Sequence, residues 1–168
     1  MESRVRLLGH PVHQMLVVFP LGMLGAAAAF DVLYRVQHNS QWALITYWLI
    51  AAGVIMGLVA APFGYLDWRK IPSGTRAYRV GLFHLFINVG ALVVFAISFL
   101  VRRADPDAPT MLASVLAWIA ILGNFTAAWF GGELVDRLGV GVSSSAHLDA
   151  PSSLTTPTIP KQSASRTR

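Results

Sequence analysis

Apolar residues fall in four long blocks along this chain, with the polar residues gathered between them. Gln14 to Tyr34 contains one charged residue, Asp31. Trp42 to Leu66 and Met111 to Gly132 contain none. Val80 to Val101 has His84 as its one ionisable residue. Each block exceeds the roughly 18 residues that a helix needs to cross a hydrocarbon layer about 30 Å thick. A buried helix of that length in a soluble protein would carry a polar stripe. Barrel strands would alternate over about 10 residues. Neither pattern is present, so the blocks predict helices over about 11–35, 42–67, 79–101 and 110–134. The links at Arg35–Gln41, Asp67–Arg79 and Arg102–Thr110 are short. Ile71-Pro72-Ser73-Gly74 and Asp105-Pro106-Asp107-Ala108-Pro109 carry turn chemistry. Short links make successive helices antiparallel. The expected fold class is all-α: an integral membrane four-helix, up-down-up-down bundle over residues 1–142.

After Gly141 the pattern ends. Residues 143–168 hold seven Ser, four Thr and three Pro. Such a segment buries too little apolar surface to offset its chain entropy, which predicts a disordered C-terminal tail. Pro20 and Pro62 lie inside expected helices and predict kinks. Trp42, Trp48, Trp68 and Trp129 lie towards block ends, where interfacial belts form. Gly53, Gly57 and Ala61, Gly22 and Ala26, and Gly131 and Gly132 offer small faces for close helix approach.

Composition sharpens this picture. Of the 168 residues, 55% are hydrophobic and 12% charged, about half the charge of a soluble domain. The absence of cysteine excludes disulfides, thiolate metal sites and thiol nucleophiles. The net charge of +5 reads as topology once the cations are placed. Arg4, Arg6, Arg69, Lys70, Arg76, Arg79 and Arg137 fall at one end of the expected bundle. Arg35, Arg102 and Arg103 fall at the other. Seven against three places both termini in the cytoplasm of a cell-membrane protein. The excess then speaks for anionic lipid as a partner and against nucleic acid. A cleaved signal peptide is not expected. The first apolar block is longer than the usual 7–15 residues, and Gly9-His10-Pro11-Val12-His13 interrupts its leader.

Few residues can carry chemistry. Pro11 suits the first position of a helix, which makes His10 its expected N-cap and puts His13 in the first turn. His84 and Asn88, four apart, share a face of the third helix. Intramembrane polar groups face the bundle interior. With the termini at one end, His10, His13, His84, Asp67 and Glu133 come to similar depth and could converge on one pocket. Asp31 stands apart, as an expected interface anchor beside Arg35. Three functions fit. The pocket residues could merely fix helix packing in a non-catalytic membrane subunit or anchor. His13 and His84 could hold a b-type haem, or serve a quinone, with Arg79 or Arg76 on propionates and Asn88 alongside. His10, His13 and His84 with Asp67 or Glu133 could bind a divalent metal. No phosphate-binding loop, His-Glu-x-x-His or Gly-x-Ser-x-Gly occurs, so the sequence leans away from an enzyme without deciding the point.

Some of these residues also form a known pattern. Gly9-His10-Pro11-Val12-His13, Val17-Val18-Phe19-Pro20-Leu21-Gly22 and Asp31 open it. Gly64-Tyr65-Leu66-Asp67, then Arg79, His84 and Asn88, continue it. Gly131-Gly132-Glu133-Leu134-Val135 with Gly139-Val140 closes it. Over about residues 7–142 the chain resembles the prokaryotic predicted-membrane-protein family catalogued as domain of unknown function 2231. Gln14 departs from it, standing where that family often has a second proline. The resemblance implies a four-helix membrane domain with no established activity. Similar domains joined to Rieske-type or c-type cytochrome modules imply a redox or other membrane-protein partner. This chain carries neither module.

Overall fold

The computed structural model describes residues 1–155. Four helical spans, Val12–Gln37, Ser40–Trp68, Arg76–Arg102 and Met111–Arg137, are long and apolar enough to cross a membrane. The first is α1 (Val12–Leu16) followed by α2 (Val18–Gln37). The break has a covalent cause. Pro20 has no N–H for the Leu16 carbonyl and its ring crowds that carbonyl, so α1 stops at Leu16. The second span is α3 (Ser40–Trp68), which runs through Pro62 as one helix. The third is α4 (Arg76–Arg102), and the fourth is α5 (Met111–Gly132) extended by a π-helical turn, Glu133–Arg137. Thr75 Oγ1 accepts from the Tyr78 N–H at 3.1 Å and starts α4. Asn39 and Thr110 cap α3 and α5 in the same manner. At the end of α2, His38 adopts a left-handed backbone (φ 53°), and its N–H bonds the Tyr34 carbonyl.

The start of the chain differs from the expectation. His10 does not cap a helix. It lies in β2 (His10–Pro11), paired antiparallel with β1 (Arg6–Leu7). Leu8 (φ 51°) and Gly9 (φ 87°) form the two-residue turn, and glycine accepts such a conformation at no steric cost. A residue before proline is driven to extended conformations, which keeps His10 out of the helix. Pro11 is itself the N-cap of α1.

Two helix pairs, α2 with α3 and α4 with α5, pack most closely, and α3 joins them through α4. The core lies in the half of the bundle away from the N-terminus. Leu24, Ala27, Ile50, Phe95, Ala117 and Ala120 meet there. Small residues set this spacing: a Cβ on Gly53 would stand 2.6 Å from Leu24, and one on Gly57 2.7 Å from Leu92. Gly22 and Gly132, expected to serve packing, face open space instead. Outward-facing apolar side chains, Trp48, Phe86, Leu122 and Trp129 among them, cover the exterior, as a lipid-facing surface requires.

Asp31 is the second correction. It is fully buried and meets Arg102, equally buried, at 2.8 Å. Arg35 leaves it for the start of α5, donating to Ser114 Oγ and to the Pro109 and Thr110 carbonyls.

At the other end the N-terminal segment closes the bundle. The Met1 ammonium donates to the Gly139 carbonyl at 2.7 Å, and the Arg4 N–H to Asp67 Oδ1 at 2.6 Å. Glu2 accepts from Arg6, Ser143 and the Ser144 N–H. Those donors, the Ser144 N–H foremost, hold its carboxyl below the usual glutamate range. Part of the expected tail, 143–155, therefore folds back in turns against the N-terminal segment. Ser153 Oγ donates to the Leu8 carbonyl. The rest of that tail, 156–168, lies outside the described residues.

Candidate functional site

A cavity of about 340 Å³ lies between the two helix pairs, in the half of the bundle nearer the N-terminus. Residues of every span line it, and Ser3, Val140 and Gly141 line it from the segments at that end. Its walls are mainly apolar, with His13, His84, Asn88, Asp67, Gln14 and Asn124 as polar exceptions.

Both imidazoles are anchored alike. His13 Nδ1 lies 3.1 Å from the Ala60 carbonyl oxygen, and His84 Nδ1 lies 2.8 Å from that of Ala127. A carbonyl only accepts, so each Nδ1 carries a proton, and in the neutral ring Nε2 is then the atom with the lone pair. Glycine one turn beyond each carbonyl leaves room for the ring. A Cβ on Gly64 would stand 2.7 Å from His13 Cε1, and one on Gly131 3.1 Å from His84 Cε1. Asn88 Nδ2 donates to the His84 carbonyl at 2.9 Å and lies 3.2 Å from His84 Nε2.

The likeness of the two anchors belongs to a longer repeat. Pro20, Leu24, Ala27 and Asp31 are buried on α2. Ala91, Phe95, Ser98 and Arg102 are buried on α4, each seventy-one positions later. His13 and His84 have that same offset. The two hairpins thus place an imidazole at one end and an ionisable residue at the other, in one register.

The remaining expected residues are dispersed. Asp67 lines the cavity at its N-terminal end, where it accepts the Arg4 N–H. His10 is exposed on the hairpin, 3.3 Å from Ser153 Oγ. Glu133 turns to Arg76, at 2.5 Å. Arg79 is exposed and lines a different depression, on the outside of α4 and α5. Among the described residues no three His, Asp or Glu side chains group as a metal site needs. The five-residue convergence therefore reduces to His13, His84 and Asp67, because Arg76 draws Glu133 away and the hairpin carries His10 outside.

Two polar positions escaped the sequence reading. Asn124, 8% exposed, sits in the cavity wall with no side-chain hydrogen bond among the described residues. Its signal was an amide inside an apolar block, which lipid cannot satisfy. Arg102 stands at a block end and reads as an interfacial cation until its partner is seen.

The fold and this cavity define a helical membrane bundle with a mainly apolar internal cavity that carries a few polar side chains. The chain belongs to the family described as predicted membrane protein (DUF2231), whose model matches residues 9–144. No curated protein and no solved structure matches it.

Proposed function

We propose that the chain is a membrane-embedded binding subunit, and that its cavity takes a b-type haem between His13 and His84. One observation carries this reading: two imidazoles from different hairpins, each with Nδ1 held by a backbone carbonyl, line one cavity. A carbonyl-held Nδ1–H is the usual outer partner of a metal-ligating histidine, because it fixes the tautomer and orients Nε2. The cavity is within the range of small-ligand sites, about 300–1,000 Å³, and is mainly apolar with few polar groups, as such sites are. Neutral imidazole is a chemically suitable donor for haem iron, so His13 and His84 are the residues that would hold it. The propionate role expected of Arg79 and Arg76 finds no support, since neither lines this cavity. Bound haem would supply one-electron chemistry, tuned by the residues that hold it and by its burial. Protein purified from haem-replete cells should show a Soret band that His84→Ala and His13→Ala each abolish. A colourless protein that takes up no added haem would overturn the reading.

A second reading rests on the same bonds. His13 ties α1 to α3, and His84 ties α4 to α5. A non-catalytic anchor needs nothing more, and then His84→Ala lowers thermal stability by about 1 kcal/mol with no spectrum to lose. A quinol, whose hydroxyls could donate to the same Nε2 atoms, is the third occupant to assay.

We also propose that the arginine-rich end faces the cytoplasm of a cell membrane. The cysteine-free sequence suits a labelling test. Ser73→Cys in intact cells should resist a membrane-impermeant maleimide, and Asp107→Cys should react. The reverse pattern would invert the topology.

A further inference from the structure

Arg79 was expected at the cofactor and points elsewhere. It lines a groove of about 480 Å³ on the outer surface of α4 and α5, together with Arg76, Val80, Phe83, Ile87 and Phe130. We propose that this groove binds one anionic phospholipid, its phosphate on Arg76 and Arg79 and an acyl chain along Phe83, Ile87 and Phe130.

The chemistry of the groove changes along its length. The two arginines stand one turn apart in the first turn of α4, at the same end of the bundle as the aromatic group of Tyr65, Trp68 and Tyr78. Aromatic residues of this kind settle at headgroup level, so the cations lie where lipid phosphates lie. Below them the floor is wholly apolar. Phe83 is 60% exposed, and its ring lies 6.3 Å from that of Phe130. Ile87 continues the same face one turn deeper. Cations at the interface over an apolar track match an amphiphile with an anionic head. A soluble phosphate would leave the track unused.

The charges match as well. Glu133 takes one donor of Arg76 and neutralises one of the two cations. The Arg79 guanidinium has no hydrogen bond or ion pair among the described residues, so the groove keeps one net positive charge for one phosphodiester. The site lies outside the bundle and is independent of any ligand in the cavity.

Native mass spectrometry of the full chain, with equal dioleoyl phosphatidylglycerol and dioleoyl phosphatidylcholine, tests the proposal. Wild type should retain the anionic lipid preferentially. Arg79→Gln should lower that preference about fivefold, the equivalent of about 1 kcal/mol per interfacial cation. Arg79→Lys should keep most of it. Arg103→Gln, at the far end, should leave it unchanged. Phe83→Ser should weaken retention while the charge stays. Equal retention of both lipids by wild type would overturn the site, as would Arg79→Gln behaving like wild type. Glycerol 3-phosphate displacing the lipid at equal concentration would overturn the role of the apolar track. If Arg79→Gln does not fold, Arg79→Lys and Phe83→Ser carry the test: unchanged retention in Phe83→Ser, or lost preference in Arg79→Lys, would sink the proposal.

Discussion

Asp31 and Arg102 show how far a single residue can depart from its local reading. Each sits near the end of an apolar block, where charges commonly reach for the interface. Both are instead buried, and one guanidinium N–H donates to Asp31 Oδ1 at 2.8 Å. Arg102 Nε lies 3.3 Å from Ser98 Oγ, which itself donates to the Ala113 carbonyl. Asp31 Oδ2 and Arg102 Nη2 have no partner among the described residues. A buried pair satisfied on one side only contributes little over an apolar substitute, yet breaking it leaves a charge without a partner. Asp31→Asn or Arg102→Gln should therefore cost about 3–5 kcal/mol in detergent unfolding, and Asp31→Leu/Arg102→Met should recover most of that loss. Additive losses in the double variant would show that the two side chains do not act as a pair. No local pattern announces such a pair. Its members lie seventy-one positions apart, and pairing depends on which faces of α2 and α4 meet. The depth of His13, His84 and Asp67 was legible, because block polarity and direction alone set it. Their partners were not, since Ala60 and Ala127 contribute only backbone.

At the scale of elements, the four spans were legible because lipid demands long apolar blocks, and each observed span overlaps its expected one. The boundaries moved where capping chemistry acts. The third helix was expected from residue 79 and begins at Arg76, because Thr75 supplies the cap. Thr75→Ala should lower stability by about 1 kcal/mol. The same change at Thr110, whose cap bond is longer at 3.4 Å, should cost less. Thermal melts of the two variants measure this, and an equal or reversed effect would deny the caps their role. The N-terminal hairpin was missed because Leu8 is an unusual turn residue. Only Gly9 hinted at it, and the His-Pro dipeptide that follows reads equally well as a helix start.

For the whole molecule, the charge imbalance of the sequence becomes a division of labour between two ends. One end carries the hairpin, the closing contacts of Met1 and Arg4, the cavity and the outer groove. The other is a packed core sealed by the Asp31–Arg102 pair. The repeated register of the two hairpins adds a consequence for assembly. If both halves carried Asp at the shared position, or both Arg, they would repel within the low-dielectric interior. Unlike charges let the first hairpin accept the second and reject another copy of itself. Two hairpins that share a register but carry opposite charges at one matched position favour intramolecular closure over exchange of hairpins between neighbouring chains in the crowded plane of a membrane.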